Sequence, residues 1–143
     1  MPGHIKGLQA AVLQAWLIHY PNLRPAESKD CNCDQDLAAI RQSPDWENQH
    51  PYYVLGDFNG DSNEDLAVIL LDSQSTHEKG WNAALVVFNG PLRPGMLPSF
   101  FEEHIGSLRS LLFYRSGKPL LIGPWESDGG AVLAPKGDGY VWE

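Results

Sequence analysis

The chain has 143 residues, of which 43% are hydrophobic, and its formal net charge is −8. A chain of this length forms a single domain large enough for a hydrophobic core. The acidic excess disfavours nucleic acid, whose binding depends on Lys and Arg against phosphates. No apolar run approaches the roughly 20 residues that cross a bilayer. We therefore expect one domain over residues 1–143, with residues 1–4 as an expression remnant, that binds neither nucleic acid nor membrane.

The first third of the chain predicts two helices. Residues 5–20 carry apolar side chains at helical spacing, and Pro21 disfavours helical geometry in the residue before it. The predicted inward face consists of Leu8, Val12, Ala15, Trp16 and His19. The prolines and mixed charges of residues 21–33 indicate a connector, and a second short helix is expected to follow through Arg41.

The middle of the chain predicts a hairpin and one further strand. Residues 52–55 and 66–71 are short segments rich in β-branched and aromatic side chains, and residues 83–88 repeat that composition before an Asn-Gly-Pro turn. The run from residue 66 to residue 71 is apolar without alternation. Such a run is typical of a strand that is covered on both faces of its sheet.

The last third predicts a short helix followed by a β-meander. Ser99 and Glu102 fit a capping box, which starts a helix that ends at Gly106. Apolar segments separated by Gly-containing turns then predict antiparallel strands at residues 111–114, 120–122, 131–134 and 140–142. The predicted fold class is α+β, with the N-terminal helix packed on one face of a mostly antiparallel sheet of about seven strands.

Oxygen-bearing side chains occupy every second position of the loop between the two central strands. They are Asp57, Asn59, Asp61, Asn63 and Asp65. A tightly coiled loop turns alternate side chains inward, and Ca²⁺ binds about 6–8 oxygens from carboxylates, carbonyls and water. Three carboxylates without a basic residue among them repel one another, and a dication removes that repulsion. We expect Ca²⁺ at these five residues. The alternative is an acid-rich turn whose Asp and Asn side chains bond to nearby backbone amides.

The sequence DFNGDSNED, residues 57–65, resembles the strand–loop–strand calcium motif of FG-GAP and VCBS-type repeats, whose core is D-x-[DN]-x-D-G-x-x-D. The resemblance implies that calcium is held by the side chains of Asp57, Asn59, Asp61 and Asp65 and by the backbone carbonyl of Asn63. Ser62 stands where that motif has Gly, a residue favoured at positive φ. The chain contains no second copy of the motif, so the propeller and the adhesive roles of those repeats do not carry over.

Catalytic motifs are missing from the sequence: there is no G-x-S-x-G, no H-E-x-x-H and no phosphate-binding glycine loop. The best acid–base candidates are Glu102, Glu103 and His104, with Asp128 on a later loop, and Glu102 is already explained by the predicted cap. We predict a small acidic binding or structural domain without catalytic chemistry. A hydrolase that uses Glu103 and His104 is an alternative.

A second alternative is an inhibitor or immunity-like module for a cationic enzyme or toxin. The acidic balance suits a basic protein as partner. Tryptophans are enriched at interface hot spots, and the loops that carry Trp81, Trp125 and residues 128–130 are candidates for that surface. Trp16 and Trp142 are instead expected in the core. The oligomeric state is left open.

Cys31 and Cys33 are too few for a structural zinc site and too close for an unstrained disulfide. They are interpreted as free thiols, with a strained redox pair as the alternative. Weak calcium loops fill at extracellular millimolar calcium more readily than in cytosol. The interpretation is therefore an exported protein after removal of a leader, and otherwise a cytoplasmic one.

Overall fold

The computed structural model describes residues 2–3, 5–27, 30, 34–44, 50–72, 83–105, 111–123 and 130–143. These residues contain two helices and nine strands, which confirms the α+β class. In chain order they are α1 (Gly7–Leu17), β1 (Leu23–Pro25), α2 (Asp34–Ile40), β2 (Tyr53–Gly56), β3 (Asp65–Asp72), β4 (Ala83–Phe88), β5 (Phe100–Glu102), β6 (Leu111–Phe113), β7 (Leu120–Gly123), β8 (Ala131–Lys136) and β9 (Gly139–Trp142). Across the described ranges, neither helix has the length and apolar character needed to span a bilayer.

The first sheet is centred on β3 and β4. These two strands pair antiparallel along almost their whole length, and β5 pairs with the far side of β4. The other edge of β3 is shared by β1 and β2. Every residue of β3 except Asp72 is buried, as is every residue of β4. The prediction of a strand covered on both faces is confirmed for residues 66–71.

Helix α1 covers one face of this sheet. Its side chains Val12, Leu13 and Trp16 are buried against alternate residues of β3 and β4, and the strand residues in this cluster are Leu66, Val68, Leu70, Ala84, Val86 and Phe88. The inward face differs from the predicted one, because Leu8 and His19 are exposed and Leu13 is buried. The helix is also shorter than predicted and ends at Leu17, before Pro21.

The opposite face is covered by a second antiparallel sheet, in the order β6-β7-β8-β9, and by α2. Side chains from both sheets and from α2 form one hydrophobic cluster, which includes Leu37, Ile40, Ile69, Leu85, Val87, Leu112, Leu120 and Leu133. The strands of the meander were predicted at nearly their observed positions. The single sheet of about seven strands is corrected, since stacking two sheets buries both faces of the central strands.

The two sheets approach each other at both edges. On one side, Leu112 N donates a hydrogen bond to the Pro51 carbonyl at 2.8 Å. On the other side, Trp142 Nε1 donates to Glu102 Oε2 at 2.8 Å. Trp142 is half-buried against the core rather than fully enclosed. The layers are therefore α1, the first sheet and the second sheet, with the core split between two interfaces.

The capping-box prediction at Ser99 is wrong, because residues 100–102 form strand β5 instead of a helix. Ser99 N donates to the Val87 carbonyl at 2.8 Å, so the backbone is already paired with β4. The Ser99 hydroxyl accepts a hydrogen bond from Asn89 N at 3.3 Å and does not cap a helix. Pairing with the exposed edge of β4 satisfies more backbone groups here than one helical turn would.

One predicted connector contains a strand. Strand β1 lies within the segment that was interpreted as a connector, and proline is tolerated there because β1 is at the edge of its sheet. The predictions for Cys31, Cys33, Trp81, Trp125 and Asp128 fall outside the residues that the structure describes.

Candidate metal centre

Three carboxylates converge at the hairpin that joins β2 to β3. Asp57, Asp61 and Asp65 each offer an oxygen, and these oxygens all lie within 4.8 Å of one another. Asp57 is half-buried, Asp61 is exposed and Asp65 is buried. Among the residues that the structure describes, no Lys or Arg forms an ion pair with any of the three. Hard oxygen donors in this number, without a compensating cation from the described part of the chain, could hold a metal ion.

The two asparagines of the predicted ligand set contact Asp61. Asn59 Nδ2 donates to Asp61 Oδ2 at 3.4 Å, and Asn59 Oδ1 accepts from Asp61 N at 3.3 Å. Asn63 N donates to Asp61 Oδ1 at 2.9 Å. The hydrogen bonds that Asn63 and Asn59 donate to the Asp61 carboxylate lower its pKa, the largest contribution coming from Asn63 N. Asp61 is therefore held as an anion at the open side of the group.

Asp57 organises the backbone of the loop. Its Oδ1 accepts hydrogen bonds from Gly60 N at 2.8 Å and Asp61 N at 3.1 Å, and its Oδ2 accepts from Ser62 N at 2.8 Å. This is the side-chain-to-backbone bonding expected of an acid-rich turn. The same bonds fix the Asp57 carboxylate where it meets the other two. The hydrogen bonds of the turn and the convergence of the three carboxylates therefore occur in the same conformation of the loop.

Ser62 adopts a left-handed backbone conformation, with φ of 69°. The resemblance placed Ser62 where glycine is usual, and the structure confirms that this position needs positive φ. A left-handed conformation costs a residue with a Cβ about 1–2 kcal/mol. The Ser62 N–H bond to Asp57 is one of the contacts that hold it there.

Asp65 is fully buried, with 0% of its surface exposed. Its Oδ2 accepts from Phe58 N and its Oδ1 from Gly90 N, both at 2.8 Å. Burial raises the pKa of Asp65, the two backbone N–H groups oppose that rise, and the negative charges of Asp61 and Asp57 add to it. An ionised carboxylate here is therefore costly to the fold, and a bound dication would offset that cost.

The second sheet holds the loop through Tyr114, which follows β6. Its hydroxyl donates to the Asp57 carbonyl at 3.0 Å, and its ring packs edge-on against Phe58 with centroids 5.1 Å apart. A Cβ on Gly56 would lie 2.2 Å from this ring. Glycine at residue 56 is therefore required for the close approach of Tyr114. No local feature of the sequence indicates this contact, which joins residues far apart in the chain.

A further link runs from the turn after β4 to β9. The Tyr140 hydroxyl donates to Asn89 Oδ1, next to the Gly90 N–H that holds Asp65. Burial raises the pKa of Tyr140, and the charges of the three loop carboxylates raise it further. The Asn-Gly-Pro segment was predicted only as a turn. Its backbone N–H turns out to be part of the candidate centre.

Glu103 and His104, the residues of the alternative hydrolase interpretation, lie elsewhere, at the opposite end of β3. They line an open cleft of about 110 Å³ together with Asn22, Leu23, Asp72, Ala83 and Ala84. His104 has a φ of 61°, also left-handed. The acidic and imidazole groups of the cleft do not form a metal-ligand group, since the three loop aspartates are the only such group among the described residues.

Comparison with known proteins gives no match to a protein-family model, to a curated protein or to a solved structure. The likeness of residues 57–65 to FG-GAP and VCBS-type loops thus rests on the nine residues of the motif.

Proposed function

We propose that residues 57–65 form a Ca²⁺ site in a small binding or structural domain. The observation that supports this proposal is the convergence of three carboxylates within 4.8 Å at a loop without a pairing cation among the described residues. The ligands are the side chains of Asp57, Asn59, Asp61 and Asp65 and the carbonyl of Asn63. Calcium is preferred over magnesium because the donors lie on a loop and offer flexible oxygen coordination.

The proposed role of the ion is to stabilise the junction of the two sheets. The loop contacts the first sheet through Gly90 and the second sheet through Tyr114. Neutralising the carboxylates removes the repulsion that raises the pKa of Asp65. Calcium would therefore hold the end of the domain in one conformation without taking part in a reaction.

Thermal unfolding with and without calcium tests this proposal. A weak loop has a dissociation constant of about 0.1–1 mM, so about 10 mM Ca²⁺ is expected to raise the melting temperature by roughly 5 °C. The double variant Asp57→Ala, Asp61→Ala is expected to lose that rise. Isothermal titration calorimetry with Ca²⁺ measures the binding itself.

Glu64→Gln is the matched control, because it removes a carboxylate from the same loop. The Glu64 carboxylate accepts a hydrogen bond from Gln9 at 3.2 Å and does not belong to the convergent group. This variant is expected to keep the calcium response. Equal melting temperatures in calcium and in chelator for the unmodified protein would contradict the proposal.

A hydrolase that uses Glu103 and His104 is the second candidate. It is supported by the cleft that these two residues line together with Asp72, so two acidic residues and a histidine border one opening. General acid–base chemistry needs groups of this kind within reach of one substrate. The cleft is small and open, which suits a substrate that is held mainly by contacts outside it.

The binding partner that we propose for the domain is a basic protein, as in an inhibitor or immunity-like module. Its support is the net charge of −8. The exposed carboxylate of Asp61 adds to the negative field at the loop end of the domain.

A further inference from the structure

The outer face of helix α1, continued by its C-terminal cap residue Ile18, is an apolar stripe that is exposed in the single chain. Leu8 is 47% exposed and Ile18 is 76% exposed, and the half-buried Ala11 and Ala15 lie between them. These four residues recur at the spacing of a heptad seam, three and four residues apart. The helix sequence GLQAAVLQAWL contains no charged residue, although a solvent-facing helix surface is normally charged. We propose that this stripe is the contact face of a homodimer with antiparallel α1 helices.

The stripe is self-complementary under a two-fold axis. Its order along the helix is large, small, small, large, with spacings of three, four and three residues. In an antiparallel pair, Leu8 meets Ile18 of the second copy, and Ala11 meets Ala15 of the second copy. The small residues at the centre let two helices approach within about 8–10 Å. A two-fold interface requires such a match of one patch with itself.

The charges at the helix ends favour the same arrangement. α1 has no acidic residue in its first turn and no basic residue in its last turn, so its own side chains leave the helix dipole uncompensated. The exposed Lys6 precedes the positive N-terminus, where a cation is unfavourable. In the antiparallel pair, Lys6 lies beside the negative C-terminal end of the second copy's helix. Each copy thereby supplies a basic residue at the C-terminal end of the other copy's helix.

The size of the stripe indicates a weak dimer. A stable interface buries about 800 Å² on each partner, and a helix of 11 residues is only about 16 Å long. Leu97, in the loop between β4 and β5, is 82% exposed. Its loop neighbours Leu92 and Met96 pack into the cluster that α1 covers. We therefore expect dimers that dissociate on dilution.

Sedimentation equilibrium of the full chain, from micromolar to millimolar concentration, tests the proposal. Ile18→Lys is expected to weaken dimerisation about tenfold or more, since it replaces an apolar contact with a charge that must lose water. Val141→Lys is the matched control, because Val141 is also an exposed aliphatic residue, at 39%, but lies on the second sheet. It is expected to leave dimerisation unchanged. Circular dichroism checks that both variants remain folded.

Charge pairing then tests the antiparallel register. Leu8→Glu alone and Ile18→Lys alone are each expected to dissociate the dimer. The chain with both substitutions is expected to regain part of the association, because residues 8 and 18 of different copies meet. A protein that stays monomeric at millimolar concentration, or that dimerises unchanged with Ile18→Lys, overturns the proposal. Failure of the double variant to recover association overturns the antiparallel arrangement.

Discussion

The two ends of β3 present similar groups in different arrangements. Each end carries an aspartate, Asp65 at the start and Asp72 at the finish, about 23 Å apart for a strand of this length. Each end also lies near a non-glycine residue in a left-handed conformation, Ser62 or His104. At the first end the carboxylates converge and are fixed by backbone N–H groups. At the second end they line an open cleft with an imidazole.

The spacing of residues in the sequence predicts one of these two groups and not the other. The first group comes from one loop, so alternate positions suffice to bring its oxygens together. The second group combines residues from β3, the segment after β5 and the segment before β1, which only the folded sheet brings into one place. A convergent anionic group suits a cation, whereas a cleft with an imidazole suits proton transfer.

The strongest change that we expect is in the rate of a reaction at the cleft. If the cleft catalyses hydrolysis, His104→Ala is expected to lower kcat/KM by about 100-fold or more, because general acid–base groups contribute on that scale. Chelation of calcium is expected to leave the rate nearly unchanged, since the loop lies at the other end of β3. The measurement is hydrolysis of a panel of ester, amide and glycoside model substrates. Absence of turnover on the whole panel removes the hydrolase candidate.

The two aspartates of β3 are expected to contribute differently to the free energy of unfolding. Asp65→Ala leaves the N–H groups of Phe58 and Gly90 without their acceptor. Two such losses cost about 2–4 kcal/mol, reduced in part because the buried charge is also removed. Asp72→Ala is expected to cost less than Asp65→Ala, because Asp72 is half-buried and Asp65 is fully buried. Urea unfolding in chelator measures both. Equal losses would mean that the structural role of Asp65 is overstated.

Much of the fold was predictable because its signals are local. The unbroken apolar run of residues 66–71 identified a doubly covered strand, and Gly-containing turns placed the four strands of the meander. The predictions that were wrong depend on contacts between residues far apart in the chain. Nothing in the tail says that β6 lies beside β2 and not beside β5. Ser99 and Glu102 match a helix cap equally well in a strand, and pairing with β4 decides between the two.

The candidate site likewise has one part that the sequence predicts and another part that it does not. Its three carboxylates and the need for positive φ at Ser62 could be predicted from the nine residues of the loop. The Tyr114 hydroxyl and the Gly90 N–H could not, because each approaches from a different part of the chain. In the sequence, Gly56 directly follows the strand that is predicted at residues 52–55. Residue 56 must be glycine because the Tyr114 ring packs against it, and this contact forms only when the two sheets pack together.

The weakest change that we expect is in the free energy of unfolding when either left-handed residue is replaced by glycine. Ser62→Gly removes a steric cost of about 1–2 kcal/mol but adds backbone entropy to the unfolded chain, so a net gain of about 0.5–1 kcal/mol is expected. The loop keeps its contacts, because Asp57 accepts its hydrogen bond from the backbone N of residue 62.

His104→Gly is the matched variant at the other end of β3. It is expected to gain less, because the substitution also removes the side chain of a residue that lines the cleft. Melting temperatures of both variants in chelator measure the gains. A larger gain for His104→Gly would reverse the comparison, since the cleft and not the loop would then carry the more strained backbone. A loss of stability with Ser62→Gly would show that the left-handed turn at the loop is held by the side chain of Ser62 as well as by Asp57.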